Sequence, residues 1–336
     1  MPLDLLIPDL LLPRDAPAAM RALRLPQLEK WLARADVGAA AGIGAARWLG
    51  AAFDLASPPV AAIALAGEGA ARDGAWMRAD PVHLRIDRDH LKLHDASILD
   101  VRRDEADAIV AALQEHFGQD GLEFHAVAPE RWYVRVPDGA LPRKTTPVED
   151  ALGRDVFGLL PENRAGAPIN WPAALTEAQM VLGAHEVNAR REAQGKPAIN
   201  SVWFWGEGSA PASVAKRYAL VHSDDPFARG LGALSGAEVR PGAKSIADID
   251  LVRRSDAVLA VVGDLTAALH RVDDARWRAA AEALDARWFA GLGEAIERFE
   301  RVRLVLPAEK DTRVATLTAA ARWRWFRARK PLAAHA

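Results

Sequence analysis

Short apolar blocks recur along the chain, and turn-forming residues bound each of them. A strand in a parallel sheet covered by helices on both faces is apolar at every position rather than at alternate positions. These blocks are therefore predicted to be buried strands, at 3–12, 60–65, 218–221, 257–262 and 302–306. Stretches with helical spacing of apolar residues alternate with them, at 25–32, 225–234 and 273–300. The alternation predicts an α/β fold with a doubly wound, mostly parallel sheet.

The middle of the chain has a different pattern. Residues 83–87 and 91–93 alternate apolar with polar side chains, and Asp89 and His90 lie between them as a hairpin turn would. A helical stripe follows over 104–117, and alternation returns between 124 and 136. We therefore expect a smaller α+β lobe inserted into the core. The predicted domains are 1–70 as the first core segment, 71–199 as the inserted lobe with its connecting helix, and 200–336 as the second core segment.

Composition excludes several kinds of chemistry. The 336 residues include no cysteine, which removes disulfides, thiolate nucleophiles, iron–sulfur clusters and Cys-ligated zinc. Such a composition suits a reducing cytoplasm, which is the predicted location. The 43 Lys and Arg nearly balance the 45 Asp and Glu, so we expect no nucleic-acid partner. Apolar runs stay shorter than the ~20 residues of a membrane-spanning helix, so we expect no membrane partner.

Two polar clusters are candidates for binding an anion. Arg78 lies near the start of the inserted lobe, close in sequence to Asp80 and His83. A guanidinium there can bind a phosphate or carboxylate through two donors, or it can simply pair with Asp80. His185 and Asn188 are one helical turn apart toward the end of a single helix predicted over 175–194. Such a pair is either a pair of ligand contacts or a capping and solvated pair.

A third candidate is the segment from Asn200 to Gly208. Trp203 and Trp205 are two residues apart, so on a strand they lie on the same face. The glycines after them allow a ligand or another backbone to approach closely. The open alternative is that the two tryptophans form a packing seam between the lobes.

These motifs together resemble a known family. The chain has a strand, then a Pro-x-Leu-x-Lys helix (Pro26, Leu28 and Lys30), then an inserted lobe. A helix end with the motif His-x-x-Asn-x-x-Arg follows (His185, Asn188 and Arg191). The last motif is a strand with the pattern Asn-x-x-Trp-x-Trp-Gly-x-Gly (Asn200, Trp203, Trp205, Gly206 and Gly208). In this order they resemble the archaeal-type cofactor-independent phosphoglycerate mutases. Arg78 and Asp80 are similar to the arginine and asparagine that begin the inserted lobe of that family. The resemblance is greatest to a divergent proteobacterial branch described as regulatory proteins of the pathogenicity-factor type.

The resemblance implies an alkaline phosphatase-type core with a cap-like lobe. It also implies two divalent metals and a serine nucleophile in active members. This chain departs from that chemistry, because it has no Ser or Thr between Met1 and Ala56, where the nucleophile is required. The matching metal ligands are reduced to the weak remnants Asp9, Asp264 and His270. We therefore expect no catalytic residue and no cofactor, with Mn, Mg or Zn needed only if the protein is an enzyme after all.

The predicted ligand-binding set follows from the clusters above and from a lysine that stands where metal ligands are missing. It comprises Arg78, His83, His185, Asn188, Arg191, Asn200, Trp203, Trp205 and Lys310. The leading hypothesis is a catalytically depleted phosphoglycerate mutase-like protein that binds a small phosphorylated or carboxylate ligand, or a protein partner, in a regulatory role. The alternatives are an active metal-dependent phosphomutase or phosphatase with an atypical nucleophile, and an interaction scaffold without a ligand.

The segment 323–330 mixes three aromatic residues with four basic groups. We expect its aromatic rings to dock on the core and its arginines to be solvated. The alternative is a recognition segment that stacks on bases or touches an anionic membrane.

Overall fold

The computed structural model describes residues 2–11, 22–40, 44–70, 73–87, 90–249, 256–266, 274–308 and 311–335. The chain divides into two compact units, which we name the core unit (Met1–Ser57 with Pro211–Ala336) and the inserted unit (Pro58–Ala210). The predicted boundaries at 70 and 200 differ from these divisions. The described strands are β1 (Pro2–Leu6), β2 (Asp36–Ala40), β3 (Ala75–Asp87), β4 (His90–His94), β5 (Glu123–Ala128), β6 (Arg131–Val136), β7 (Ser201–Ser209), β8 (Leu220–His222), β9 (Glu238–Arg240), β10 (Val258–Val261), β11 (Arg301–Pro307) and β12 (Thr312–Leu317).

The described α-helices are more numerous than the sequence suggested, and the stretch predicted at 273–300 is divided between two of them. They are α1 (Pro26–Arg34), α2 (Ala45–Ala52), α3 (Val60–Gly67), α4 (Arg103–Phe117), α5 (Val148–Ala151), α6 (Trp171–Gly183), α7 (Glu186–Ala193), α8 (Pro226–Leu234), α9 (Asp274–Leu284) and α10 (Leu292–Arg298). One π-helical turn, Asp285–Phe289, follows α9.

The core unit is built on one sheet of mostly parallel strands. Strands β11, β1, β10, β8 and β9 run parallel in that order, β12 pairs antiparallel with β11, and β2 pairs antiparallel with β12. Strand β1 is internal, with Leu3 paired to Val258 on one side and to Val302 on the other. Leu3 and Leu5 are fully buried, as expected for a strand covered on both faces. The predicted α/β class with a doubly wound, mostly parallel sheet is confirmed.

A polar group is also buried in this sheet. The Asp4 carboxylate on β1 accepts hydrogen bonds from the Tyr218 hydroxyl at 2.7 Å and from Arg303 Nε at 2.6 Å. Asp4 is only 1% exposed, so these partners offset the cost of burying its charge. The three residues tie the central strand β1 to β11 and to the segment before β8.

The inserted unit contains an antiparallel sheet. Its strands pair in the order β7, β3, β6 and β5, and β4 pairs with the outer half of β3. Helices α4 and α6 share with the sheet an apolar cluster that includes Phe117, Trp132, Trp171 and Phe204. Strand β7, which the sequence assigned to the second core segment, therefore belongs to the sheet of the inserted unit.

The predicted strand at 60–65 is wrong, because these residues form helix α3. Residues Val60 to Leu65 are all buried, so the helix is apolar on every side and its sequence has no polar stripe. A short run of this kind has the same pattern as a buried strand. Its alanines and the preceding Pro59 favour the helix instead.

Candidate ligand-binding site

Arg78 and Asp80 form a buried ion pair on β3. They are two residues apart, so their side chains lie on the same face of the strand. Arg78 Nε donates to Asp80 Oδ1 at 3.0 Å, and Nη2 donates to the same oxygen. Trp205 Nε1 on β7 donates to Asp80 Oδ2 at 2.7 Å. The alternative in which Arg78 pairs with Asp80 is the arrangement present in the structure.

Aromatic rings enclose the guanidinium. The centroid of the Tyr133 ring lies 4.9 Å from Arg78 Cζ, and that of the Trp205 ring lies 5.7 Å away. Burial, the largest single effect, lowers the pKa of Arg78, but the charge and hydrogen bonds of Asp80 together with Tyr133 and Glu68 outweigh it and the net pKa is raised. Arg78 is therefore a fixed cation between two rings.

The cluster continues from Tyr133 to α3. The Tyr133 hydroxyl donates to Glu68 Oε1 at 2.6 Å, and Arg131 Nε donates to the same oxygen at 3.0 Å. Burial raises the pKa of the Tyr133 hydroxyl, so this group stays protonated at neutral pH. We name the five residues Glu68, Arg78, Asp80, Tyr133 and Trp205 the arginine cluster.

The hydrogen-bonding groups of Arg78 in the arginine cluster are not all engaged by Asp80. Within the described residues, Arg78 Nη1 makes no hydrogen bond, whereas Nε and Nη2 both donate to Asp80. The Arg78 side chain is 11% exposed. A guanidinium held on one edge presents its remaining N–H groups in a fixed direction, which is the geometry that recognises a carboxylate or phosphate oxygen.

Three further residues of the predicted ligand-binding set form hydrogen bonds with backbone groups. The Asn200 side chain accepts from Leu84 N at 2.7 Å and donates to Leu84 O at 2.9 Å. His83 Nδ1 hydrogen-bonds the carbonyl of Ala198 at 2.8 Å. Trp203, fully buried, donates from Nε1 to the carbonyl of Thr146 at 2.8 Å. Ligand contact by these three residues stays a prediction.

The predicted His-x-x-Asn-x-x-Arg motif lies around α7 and makes internal contacts. His185 caps the helix by accepting from Val187 N through Nδ1 at 3.2 Å, so the expected single helix is divided into α6 and α7. The buried Asn188 amide donates to the carbonyls of Leu182 and Ile199, at 2.8 Å each. The alternative of a capping role is the one that describes His185 in the structure.

Arg191 is the most deeply buried arginine of the predicted set. Its Nη1 donates to Glu105 Oε2 at 2.7 Å, its Nε donates to Pro197 O at 2.8 Å, and its Nη2 donates to Leu99 O. The side chain is 0% exposed. All three of these nitrogens are thus engaged, and anion binding by Arg191 would require this network to open.

The carboxyl edge of the parallel sheet is a second candidate region, because ligands of doubly wound folds bind there. Asp9 follows β1 with φ of 60°, and its carbonyl accepts from Trp277 Nε1 at 3.1 Å. Asp264 follows β10 and pairs with Arg287 Nη2 at 2.8 Å. The predicted residues His270 and Lys310 lie outside the described residues.

Two residues near these sites were missed by the sequence reasoning. His222 ends β8, hydrogen-bonds the carbonyl of Pro241 through Nδ1 at 3.2 Å, and has a buried Nε2 without a partner among the described residues. A polar residue at the carboxyl end of a predicted buried strand was the available signal. Tyr133 joins the arginine cluster from β6, and no local pattern distinguishes it from an ordinary buried tyrosine of a strand.

Comparison with known proteins identifies relatives, although no family model matches the chain. A 2,3-bisphosphoglycerate-independent phosphoglycerate mutase of Methanosarcina mazei is 30% identical over 182 residues, 51% of this chain and 45% of that protein. The corresponding protein of Methanosarcina barkeri is 26% identical over 204 residues, 57% of this chain and 51% of that protein. Over about half its length, this chain is thus similar in sequence to 2,3-bisphosphoglycerate-independent phosphoglycerate mutases. It spans about half the length of these mutase relatives.

A solved structure supports the fold. The PH0037 protein of Pyrococcus horikoshii matches with a TM-score of 0.53 and 13% identity, over 94% of this chain and 87% of that one. The sequence matches support the resemblance to the phosphoglycerate mutases, and the solved structure supports the fold alone. Membership of the proteobacterial regulatory branch stays a prediction.

The mutase relatives correct one expectation. The protein was predicted to need no cofactor, but active members of the family to which these relatives belong use two divalent metals, so relatedness favours a metal. The described residues do not fit such a group as they stand, because they include no cluster of three or more His, Asp or Glu side chains. No chemical step is therefore assigned to a metal.

Proposed function

We propose that this phosphoglycerate mutase-like protein binds a small phosphorylated or carboxylate ligand and has lost most or all phosphoryl-transfer activity. The observation that carries the proposal is the lack of Ser and Thr from Met1 to Ala56. By the family resemblance, the nucleophile is a hydroxyl that follows the first strand. Residues from the end of β1 to Ala56 supply none, because Ser57 is the first hydroxyl-bearing residue of the chain. Without it, a covalent phosphoenzyme cannot form in the usual way.

The arginine cluster supports the binding half of the proposal. Arg78 is already desolvated and fixed by Asp80, so binding an anion costs little further ordering of its side chain. Its Nη1, which has no hydrogen-bond partner among the described residues, is a charge-assisted donor, the strong kind for carboxylate and phosphate. A protein that keeps ligand binding while losing turnover fits a regulatory role, and a cytoplasmic location is proposed with it from the cysteine-free composition.

One alternative has a specific observation in its favour. The curated relatives bear the name of an active mutase, so a metal-dependent phosphomutase or phosphatase with an atypical nucleophile is the second candidate. An interaction scaffold is the third, and it would bind no such ligand. Affinity and turnover measured on the same preparation separate the three.

The binding half is tested by calorimetric titration of 3-phosphoglycerate into the full chain, with and without added Mn²⁺. We expect saturable binding by the wild type and about tenfold weaker binding by Arg78→Lys, because lysine lacks the second donor edge. Arg135→Gln is the matched control, since Arg135 lies on β6 of the same sheet and pairs with Glu123 in an exposed position. Equal affinity of wild type and Arg78→Lys would contradict the role of Arg78, and no binding at all would favour the scaffold.

A further inference from the structure

Three large aromatic side chains lie on the surface of the core unit within four residues. Trp323 is 77% exposed, Trp325 is 73% exposed and Phe326 is 72% exposed. The expectation that these rings dock on the core is therefore wrong. Exposing three such rings in one place is costly in water, and contiguous exposed apolar surface commonly marks an interaction site.

Arginines of the same segment hold it in this orientation. Arg324 Nη1 donates to the carbonyl of Arg34 at 3.2 Å and to Asp36 Oδ1 at 2.6 Å. Arg327 Nη1 donates to the carbonyl of Ala35 at 3.0 Å. These contacts satisfy carbonyl groups at the end of α1, which otherwise lack helical partners. The arginines are thus anchored and the rings are solvated, the reverse of the expected arrangement.

The surroundings of the rings are strongly basic. From Thr318 to Ala336 the chain contains no acidic residue. Arg329 and Lys330 are exposed and make no ion pair or hydrogen bond with any residue of the described chain. Burial lowers the pKa of Lys30, and the charges of Arg34 and Arg329 lower it further, so these cations lie near one another. We name Trp323, Trp325, Phe326, Arg329 and Lys330 the basic aromatic surface.

The ring geometry distinguishes between the partners that such a surface suits. Single-stranded nucleic acid binds where successive aromatic faces are available for base stacking. Trp325 and Phe326 instead meet at 80°, edge to face, with centroids 6.3 Å apart, so one ring covers part of the other. A lipid headgroup region accepts rings in any tilt, because the gain comes from removing apolar area from water, and its phosphates pair with arginine and lysine.

We propose that the basic aromatic surface docks the protein on an anionic membrane. Trp323, Trp325 and Phe326 enter the boundary between headgroups and acyl chains, and Arg329 and Lys330 contact lipid phosphates. This mode of binding lies on the membrane and needs no spanning helix. None of the described helices is long and apolar enough to cross a bilayer. The proposal replaces the expectation of no membrane partner, which no finding tests.

The proposal is tested by co-sedimentation of the full chain with vesicles of phosphatidylcholine containing about 30 mol% phosphatidylserine, and with pure phosphatidylcholine vesicles. One variant combines Trp323→Ser, Trp325→Ser and Phe326→Ser, and a second combines Arg329→Gln with Lys330→Gln. Because these side chains are exposed, neither variant should unfold, which circular dichroism checks. Phe157→Ser is the matched control, since Phe157 is 67% exposed in the inserted unit.

We expect wild type and Phe157→Ser to bind the anionic vesicles and to be released by added salt. The aromatic variant should bind at least about tenfold more weakly, and the charge variant should lose most of the preference for phosphatidylserine. Absence of wild-type binding to the anionic vesicles would overturn the proposal, as would equal binding by the aromatic variant. Binding to an oligothymidine without binding to vesicles would also overturn it. So would a wild-type dimer that becomes a monomer only in the aromatic variant.

Discussion

His94 is a single residue whose surroundings disfavour its charge. Burial lowers its pKa from the ordinary value of 6.5, and the neighbouring His83 and Arg85 lower it further. The two histidines face each other across β3 and β4, with ring centroids 6.4 Å apart. Asp95 acts in the opposite direction but does not reverse the shift, and Lys92 adds to it.

This shift predicts a pH dependence of stability. Because the folded-state pKa is below the unfolded value, the unfolded chain takes up the proton first as the pH falls. The contribution of His94 is therefore fully present above pH 6.5 and is lost as the pH falls below that value. We expect the melting temperature to fall between about pH 7.5 and 5.5, and to fall less in His94→Gln. His335, whose pKa is also lowered by burial, leaves some of the slope in that variant. Identical slopes for wild type and His94→Gln would contradict this assignment.

At the residue scale, short-range partners were predictable and long-range ones were not. Arg78 and Asp80 lie two residues apart on a strand, so their pairing was one of two alternatives read from the sequence. Arg191 pairs with Glu105, 86 residues earlier in the chain, and no local pattern identifies that partner. The anchoring of Arg324 by the end of α1 depends on a similar long-range contact.

At the scale of elements, the packing of β7 against the start of α3 explains the glycines near the end of β7, the strand that carries Trp203 and Trp205. Gly208 has φ of +137°, and a Cβ at this position would lie 2.7 Å from Cβ of Pro59. Gly206 has φ of +72°, and a Cβ at this position would lie 3.2 Å from Cβ of Val60. The predicted close approach of another backbone to these glycines is made by the start of α3, within the inserted unit.

Replacing Gly208 therefore tests this packing. Gly208→Ala should lower the free energy of unfolding by about 3 kcal/mol, because a rigid proline ring blocks the methyl group and the backbone conformation disfavours a side chain. Gly139→Ala is the control, since Gly139 has φ of +75° but nothing within 4 Å of its Cβ position. That control should lose about 1 kcal/mol from conformation alone. Urea denaturation measures both values, and equal losses would show that contact with Pro59 contributes nothing.

The spacing of apolar residues explains which strands and helices were predicted correctly and which were not. Strands β1, β8, β10 and β11 were predicted because full burial on both faces leaves a continuous apolar run bounded by turns. The same rule misassigned α3, since a helix buried all round has that pattern too. The break between α6 and α7 was missed because His185 caps through a side chain that also occurs within helices.

At the scale of the whole molecule, fold and family follow from the order of elements, whereas function depends on a few side chains. The mostly parallel sheet and the separate antiparallel sheet agree with the predicted α/β class. The arginine cluster was predicted only partially, because Glu68 and Tyr133 come from the end of α3 and from β6 and are brought to Arg78 by the fold of the inserted unit. The similarity to mutases raises the expectation of a metal, while the first 56 residues contain no Ser or Thr from which the family resemblance would take a nucleophile.

The most direct test is interconversion of 3-phosphoglycerate and 2-phosphoglycerate by the purified full chain, assayed in turn with Mn²⁺, Mg²⁺ and Zn²⁺. The Methanosarcina mazei relative in the same assay serves as the positive control. The proposed loss of the nucleophile predicts conversion no faster than the protein-free background with every metal. Conversion that rises with the amount of protein and disappears on chelation would contradict the loss of activity and establish a metal-dependent enzyme.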